Sequence, residues 1–324
     1  MVEKFNFYDI YGYLLPGIVL ATLLWLPFGL FLRLWPSDLS GALIVVVLSY
    51  IIGHIIQSYS IKLLASSTRD KFGRERHASD LMLDANTTFT METRRKIDQL
   101  SQMYFGLNLE PQENPAQPSE RQEEISLRRK DAFFQARSLL LKDKKTSYWE
   151  QFEGLYALMR NVSAACAVAA PYFLGCGVAF SRKIGALSGF PQRDSWANWG
   201  AVLILFFAVK VVQFSLPPGR KNEGQSILEE NDHQQEEKNS TIALRLSLLC
   251  VAFLAGLLLC LGRKDLQPPV EGPFIMLGMA LAAVIVSVRC YMAYNGFARL
   301  FAEHVWRDFA TLEKPLPTGP PDLV

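Results

Sequence analysis

The stretch "GYLLPGIVLATLLWLPFGLFLRL", residues 12–34, decides the fold class, because no charged residue lies between Asp9 and Arg33. A bilayer core of ~30 Å asks for about 20 consecutive apolar residues in a helix. A soluble helix would interleave polar positions every three or four residues, and this run does not. Five further windows answer the same description: residues 42–64, 162–180, 199–216, 242–261 and 274–294. The third is the least hydrophobic, being rich in Ala and Gly, and is the weakest of the six. The pattern predicts an all-α polytopic membrane bundle of six spans with a helical cytoplasmic insert.

The start of the chain does not read as a cleaved signal peptide. Glu3 and Asp9 offset Lys4 where a basic region is expected, and no small-residue cleavage site follows the apolar run. The first helix is therefore expected to stay. Pro16 removes a backbone donor and Gly17 permits close approach, so a kink or short interfacial helix is expected at this candidate hinge. Asp9 is expected on the cytoplasmic side, capping the helix or pairing with Arg289 or Arg299.

Orientation follows from Lys and Arg near the span ends. Lys62, Arg69, Lys71, Arg74 and Arg76 follow the second span; Lys142, Lys144, Lys145 and Arg160 precede the third. Arg220 and Lys221 follow the fourth, and Arg299 and Arg307 the sixth. The opposite side keeps Arg33, Arg182, Lys183, Arg193, Arg263 and Lys264. Both termini are thus expected in the cytoplasm.

The layout divides as a two-span hairpin (1–64), a cytoplasmic helical insert (65–146) and the third and fourth spans with a helical extension (147–216). An acidic cytoplasmic loop (217–241), the fifth and sixth spans with a C-terminal helix (242–312) and a disordered tail (313–324) complete it. "YWEQFEGLYALMRNVSAACAV" sets Trp149, Phe152, Tyr156 and Met159 on one helical face leading into the third span. Phe297, Leu300, Phe301, His304, Val305 and Phe309 form a stripe after the sixth. Within the insert, residues 89–104 read as a helix lacking a full capping box, and residues 119–145 as a second helix. Phe133, Phe134, Leu140 and Leu141 are packing candidates on that second helix. Ala252/Gly256, Gly278/Ala282 and Ala165/Ala169 are small-residue pairs suited to close helix contact.

Polar residues inside spans are the functional candidates, since burying them is costly. They are Asp9, His54, Gln57, Lys210, Arg245 and Arg289, the three cations also being placed to snorkel to the interface. No intramembrane Asp or Glu accompanies them, which weakens a proton relay. Enzyme signatures are absent: "GCGVAFSRK" lacks P-loop spacing, the four histidines show no HExxH, and there is no G-x-S-x-G. No metal, cofactor or catalytic residue is expected, and the five cysteines read as buried apolar groups. Residues 59–160 carry seventeen Lys and Arg against fifteen Asp and Glu, too even a balance for nucleic-acid binding.

"YDIYGYLLPG", "YWEQFEGLYALMRNVSAA" and "YNGFARLFAEHVWRDF" together resemble a loose group of bacterial multi-pass proteins that open on a D-x-x-x-Y-L-x-P-G-like segment. The resemblance implies a bacterial inner-membrane protein, and some members of the group lie near phage-defence genes. It carries over no catalytic residue. The expected function is a non-enzymatic membrane sensor or effector, a homo-oligomer in the bilayer that opens a pore in response to a cytoplasmic protein or small ligand. A transporter or permease, and a lipid-modifying enzyme, are the alternatives.

Overall fold

The computed structural model describes residues 8–34, 39–64, 78–83, 89–109, 118–142, 149–188, 228–263 and 269–312. All regular structure among them is helical. A π-helical segment, Asp9–Leu14, leads into α1 (Leu15–Leu32), followed by α2 (Leu39–Leu63), α3 (Ala78–Leu81), α4 (Met91–Phe105) and α5 (Pro118–Lys142). Then come α6 (Trp149–Ser188), α7 (Leu228–Gly262) and α8 (Gly272–Ala310). Five stretches are long and apolar enough to cross a membrane: Asp9–Leu32, Ser40–Ile61, Trp149–Lys183, Arg245–Gly262 and Gly272–Ala310. The expected fourth span and its Lys210 lie outside the described residues.

The chain forms two units: residues 1–65 with 157–293, and residues 66–156 with 294–324. Two helices, α6 and α8, therefore contribute to both.

In the first unit the directions of the helices follow from their contacts. Between α1 and α2, Tyr8 meets Gln57 and Gly17 meets Ser49, so numbering rises on one as it falls on the other. This pair is an antiparallel hairpin. Tyr172 Oη donates to Leu24 O at 2.8 Å and Phe31 packs on Phe180, so α1 and α6 run parallel. The contacts of Tyr172 with Gly256 and of Lys183 with Arg263 make α6 and α7 parallel as well. Ser163 with Ser287, and Gly177 with Met276, make α8 antiparallel to α6.

The weak third window is the innermost helix. Of its most apolar stretch 72% is buried, against 17–28% in the other four. Ala164, Ala165, Ala169, Cys176 and Ala179 are all within its packed surface. Small side chains lower hydropathy, yet they let neighbours come close, so low hydropathy here records protein contact in place of lipid contact. Conversely, α2 exposes Leu43, Ile44, Val47, Leu48, Ile51 and Ile55 along one broad face.

The second unit has its own core. Phe133, Trp149, Trp306 and Phe309 are fully buried there, with Ile97, Leu100 and Leu140. Thr90 caps α4 by accepting from the Thr93 N–H, and Gly106 closes it in a left-handed conformation (φ 70°) that suits glycine. Asp98 Oδ1 then accepts the Leu109 N–H at 2.6 Å, fixing the chain beyond the cap. Two expectations need correction. Phe134 and Leu141 point outward, because each follows its buried neighbour by 100° of helical turn. The stretch read as an acidic loop up to residue 241 is helical from Leu228, where Glu- and Gln-rich sequence favours helix.

Candidate functional site

The entry of the first span is not an ordinary helix. In α geometry the N–H of residue 16 would donate to the carbonyl of Gly12, but Pro16 has no N–H. The segment before it widens to a π-helix, and the Gly12 carbonyl is left without its usual donor. Asn161 supplies one. Its Nδ2 lies 2.7 Å from Gly12 O, inside a site where Asn161 is fully buried.

The same amide gathers two residues of α2. Asn161 Nδ2 also donates to Gln57 Oε1, and Ser60 Oγ donates to Asn161 Oδ1 at 2.6 Å. Gln57 in turn donates through Nε2 to Tyr8 Oη at 2.9 Å, just ahead of the π segment. Three helices therefore meet on one asparagine, with both ends of its amide occupied. Such satisfaction is what makes a buried polar group tolerable away from water.

Sterics reinforce the meeting point. A Cβ on Gly17 would sit 1.7 Å from Ser49 O, and one on Gly53 would sit 1.9 Å from Tyr13 O. Only glycine lets the two backbones touch there. Beside this contact His54 stacks on Tyr13 with ring centroids 3.9 Å apart, and Tyr50 meets His54 edge-on at 4.7 Å. His54 and Gln57 thus turn to different partners: an aromatic stack and an amide network. Asp9 opens the π segment, half-buried; Pro16 and Gly17 are buried at the start of α1. Arg245 is half-buried on α7, and Arg289 is exposed on α8.

Asn161, Ser60, Gly12 and Gly53 were not singled out from sequence. Asn161 stands one residue before the third apolar window, so a boundary drawn by hydropathy placed it outside the membrane. The available signal was a proline four residues after Gly12, which announces an orphan carbonyl in need of a donor.

A second polar contact ties α6 to α8. Ser163 Oγ donates to Ser287 O, and Ser287 Oγ donates to Ser163 O, each at 2.8 Å. Close packing on the other side comes from Gly175 and Gly256, whose substituents would strike the backbones of Phe253 and Tyr172 at 2.1 and 2.2 Å. Of the small pairs read from sequence, Ala252/Gly256 and Ala165/Ala169 lie in packed contacts, whereas a Cβ on Gly278 meets nothing within 4 Å.

The second unit holds a buried ion pair. Asp80, fully buried, pairs with Arg129 at 3.1 Å and accepts from Ser126 Oγ at 2.7 Å. Arg129 Nε also reaches Leu109 O at 3.2 Å, and Trp306 Nε1 donates to Ser79 O at 2.9 Å. Four segments are joined by this one network. Among the described residues, no three of His, Cys, Asp and Glu gather as a metal site would require.

Comparison with known proteins adds no identity: no family model, curated protein or solved structure matches the chain.

Proposed function

We propose that the chain is a bacterial inner-membrane protein of six crossings, with both termini cytoplasmic. It acts as a non-enzymatic sensor or effector whose second unit receives a protein or small ligand and alters an oligomeric, pore-forming bundle. The observation that carries this reading is that α6 and α8 each belong to both units. A ligand that favours one arrangement of the second unit then biases the first through the helices that contribute to both.

Parity supports the sixth crossing. Within the first unit, α1, α6 and α7 run one way, and α2 and α8 the other. If all five cross, α6 delivers the chain to the face where α7 ends, so the chain must cross back within residues 189–227. The window 199–216 has the composition to do so. The cationic bias described above sets the direction. Single cysteines introduced at Arg193 and Glu223 test it: a membrane-impermeant maleimide should label the first, and not the second, in intact spheroplasts.

The functional reading is tested by purified protein in liposomes and by induced expression in cells. Oligomers in detergent, ion release from liposomes and growth arrest on activation are expected. Monomeric, ion-tight protein without toxicity refutes it. A transporter is the second reading, favoured by the π-helical entry of α1, since π segments are frequent at functional sites. Saturable, substrate-dependent flux in proteoliposomes would select it.

A further inference from the structure

We propose that Asn161 is a latch, the side chain through which a shift of α6 reaches the entry of the first span and α2. The inference deepens the sensor reading and rests on it for the source of the shift. Three observations on one side chain carry it. Asn161 sits on a helix shared by both units, five residues from Tyr156, where that helix leaves the second unit. Its amide holds the Gly12 carbonyl, to which Pro16 cannot donate in α register, within the π-helical entry of α1. The same amide holds Gln57 and Ser60 on α2.

The latch is sensitive because its reach is short. Hydrogen bonds of this type weaken beyond about 3.2 Å, and the Asn161–Gly12 contact is 2.7 Å. A displacement of α6 by roughly 1 Å therefore releases Gly12. Helix shifts of ~1–2 Å are the ordinary size of switching movements between packed helices. The released carbonyl has no α-register donor at residue 16, so the freed entry takes up water or changes register. Meanwhile the reciprocal Ser163–Ser287 bonds keep α8 with α6, so that both shared helices shift together. The Gly17 and Gly53 contacts leave α1 and α2 bound to one another. The result is two helix pairs, joined at the α1 entry by the Asn161 amide and farther along α1 by the Tyr172–Leu24 bond.

Amide hydrogen exchange on the full chain in lipid nanodiscs tests the latch. Asn161→Ala should accelerate exchange at Gly12–Leu20 at least tenfold, while amides flanking Ser287 change less than twofold. Adding Pro16→Ala lets the entry take α register, in which residue 16 donates to Gly12 O, and should bring the segment back within about threefold of wild type. A merely structural asparagine behaves differently: Asn161→Ala then speeds exchange throughout the first unit, and Pro16→Ala gives no rescue. That outcome overturns the latch, as does unchanged exchange at the entry. Liposome flux is read separately, so a working latch in an ion-tight protein rejects the pore alone.

Discussion

Replacing Gly53 by alanine isolates the helix contact at the heart of the first unit. The added methyl would lie 1.9 Å from Tyr13 O, where ordinary contact needs about 3.4 Å, so the backbones must part by about 1.5 Å. A gap of 0.5–1 Å already forfeits a quarter to a half of each dispersion well, and overpacking in a tight core costs about 1–3 kcal/mol. Parting the pair also strains the Tyr8–Gln57 bond, which adds up to ~1 kcal/mol. Helix propensity returns about 1 kcal/mol to alanine. The net is a loss of about 2 kcal/mol. Gly278→Ala is the matched control, since its methyl meets nothing within 4 Å and only the propensity gain remains. Reversible unfolding in mixed micelles of increasing SDS fraction, followed by tryptophan fluorescence, should put the variants on opposite sides of wild type, about 2–3 kcal/mol apart. A Gly53→Ala protein as stable as wild type would refute the close approach of α1 and α2.

Three more outcomes follow from contacts described above. Asp80→Ala leaves Arg129 buried without its carboxylate and should cost about 3–5 kcal/mol; proteolysis of the second unit should accelerate while helical signal from the spans persists. Asp80→Asn keeps the Ser126 bond but not the charge, and should fall between wild type and Asp80→Ala in the same assay. Ser163→Ala with Ser287→Ala removes two reciprocal bonds at 2.8 Å, worth roughly 0.6 kcal/mol each in a membrane, so a loss near 1 kcal/mol is expected in the SDS titration.

The sequence announced helices long and apolar enough to cross a membrane through uncharged runs of sufficient length. It also placed Trp149, Phe152 and Tyr156 on one face, and these meet Phe301, Phe297 and Tyr294 in the second unit. What it hid has a common cause. Hydropathy records the affinity of a residue for lipid, whereas Asn161, Ser60 and Ser163 are sheltered by neighbouring helices that no local window contains. For the same reason the third window looked weakest. Gly278 shows the converse: its spacing to Ala282 suits close contact, but spacing alone does not say which face of a helix is covered. The partner of a glycine is a property of the fold.

The Ala- and Gly-rich centre of α6 also bears on how the protein comes to be made. Its best window has a mean hydropathy of 1.7, below the 1.9–2.2 of the others, and the helix carries a buried asparagine, Asn161, in its N-terminal half. Lipid alone is a poor host for such a helix. The α1–α2 hairpin leaves the ribosome first and carries Gly12, Gln57 and Ser60, the acceptors and donor that Asn161 needs. Biogenesis thus has a built-in order, in which the first hairpin is the receiving surface for the central helix. A chain synthesised without that hairpin should leave α6 poorly inserted and exposed to membrane quality-control proteases.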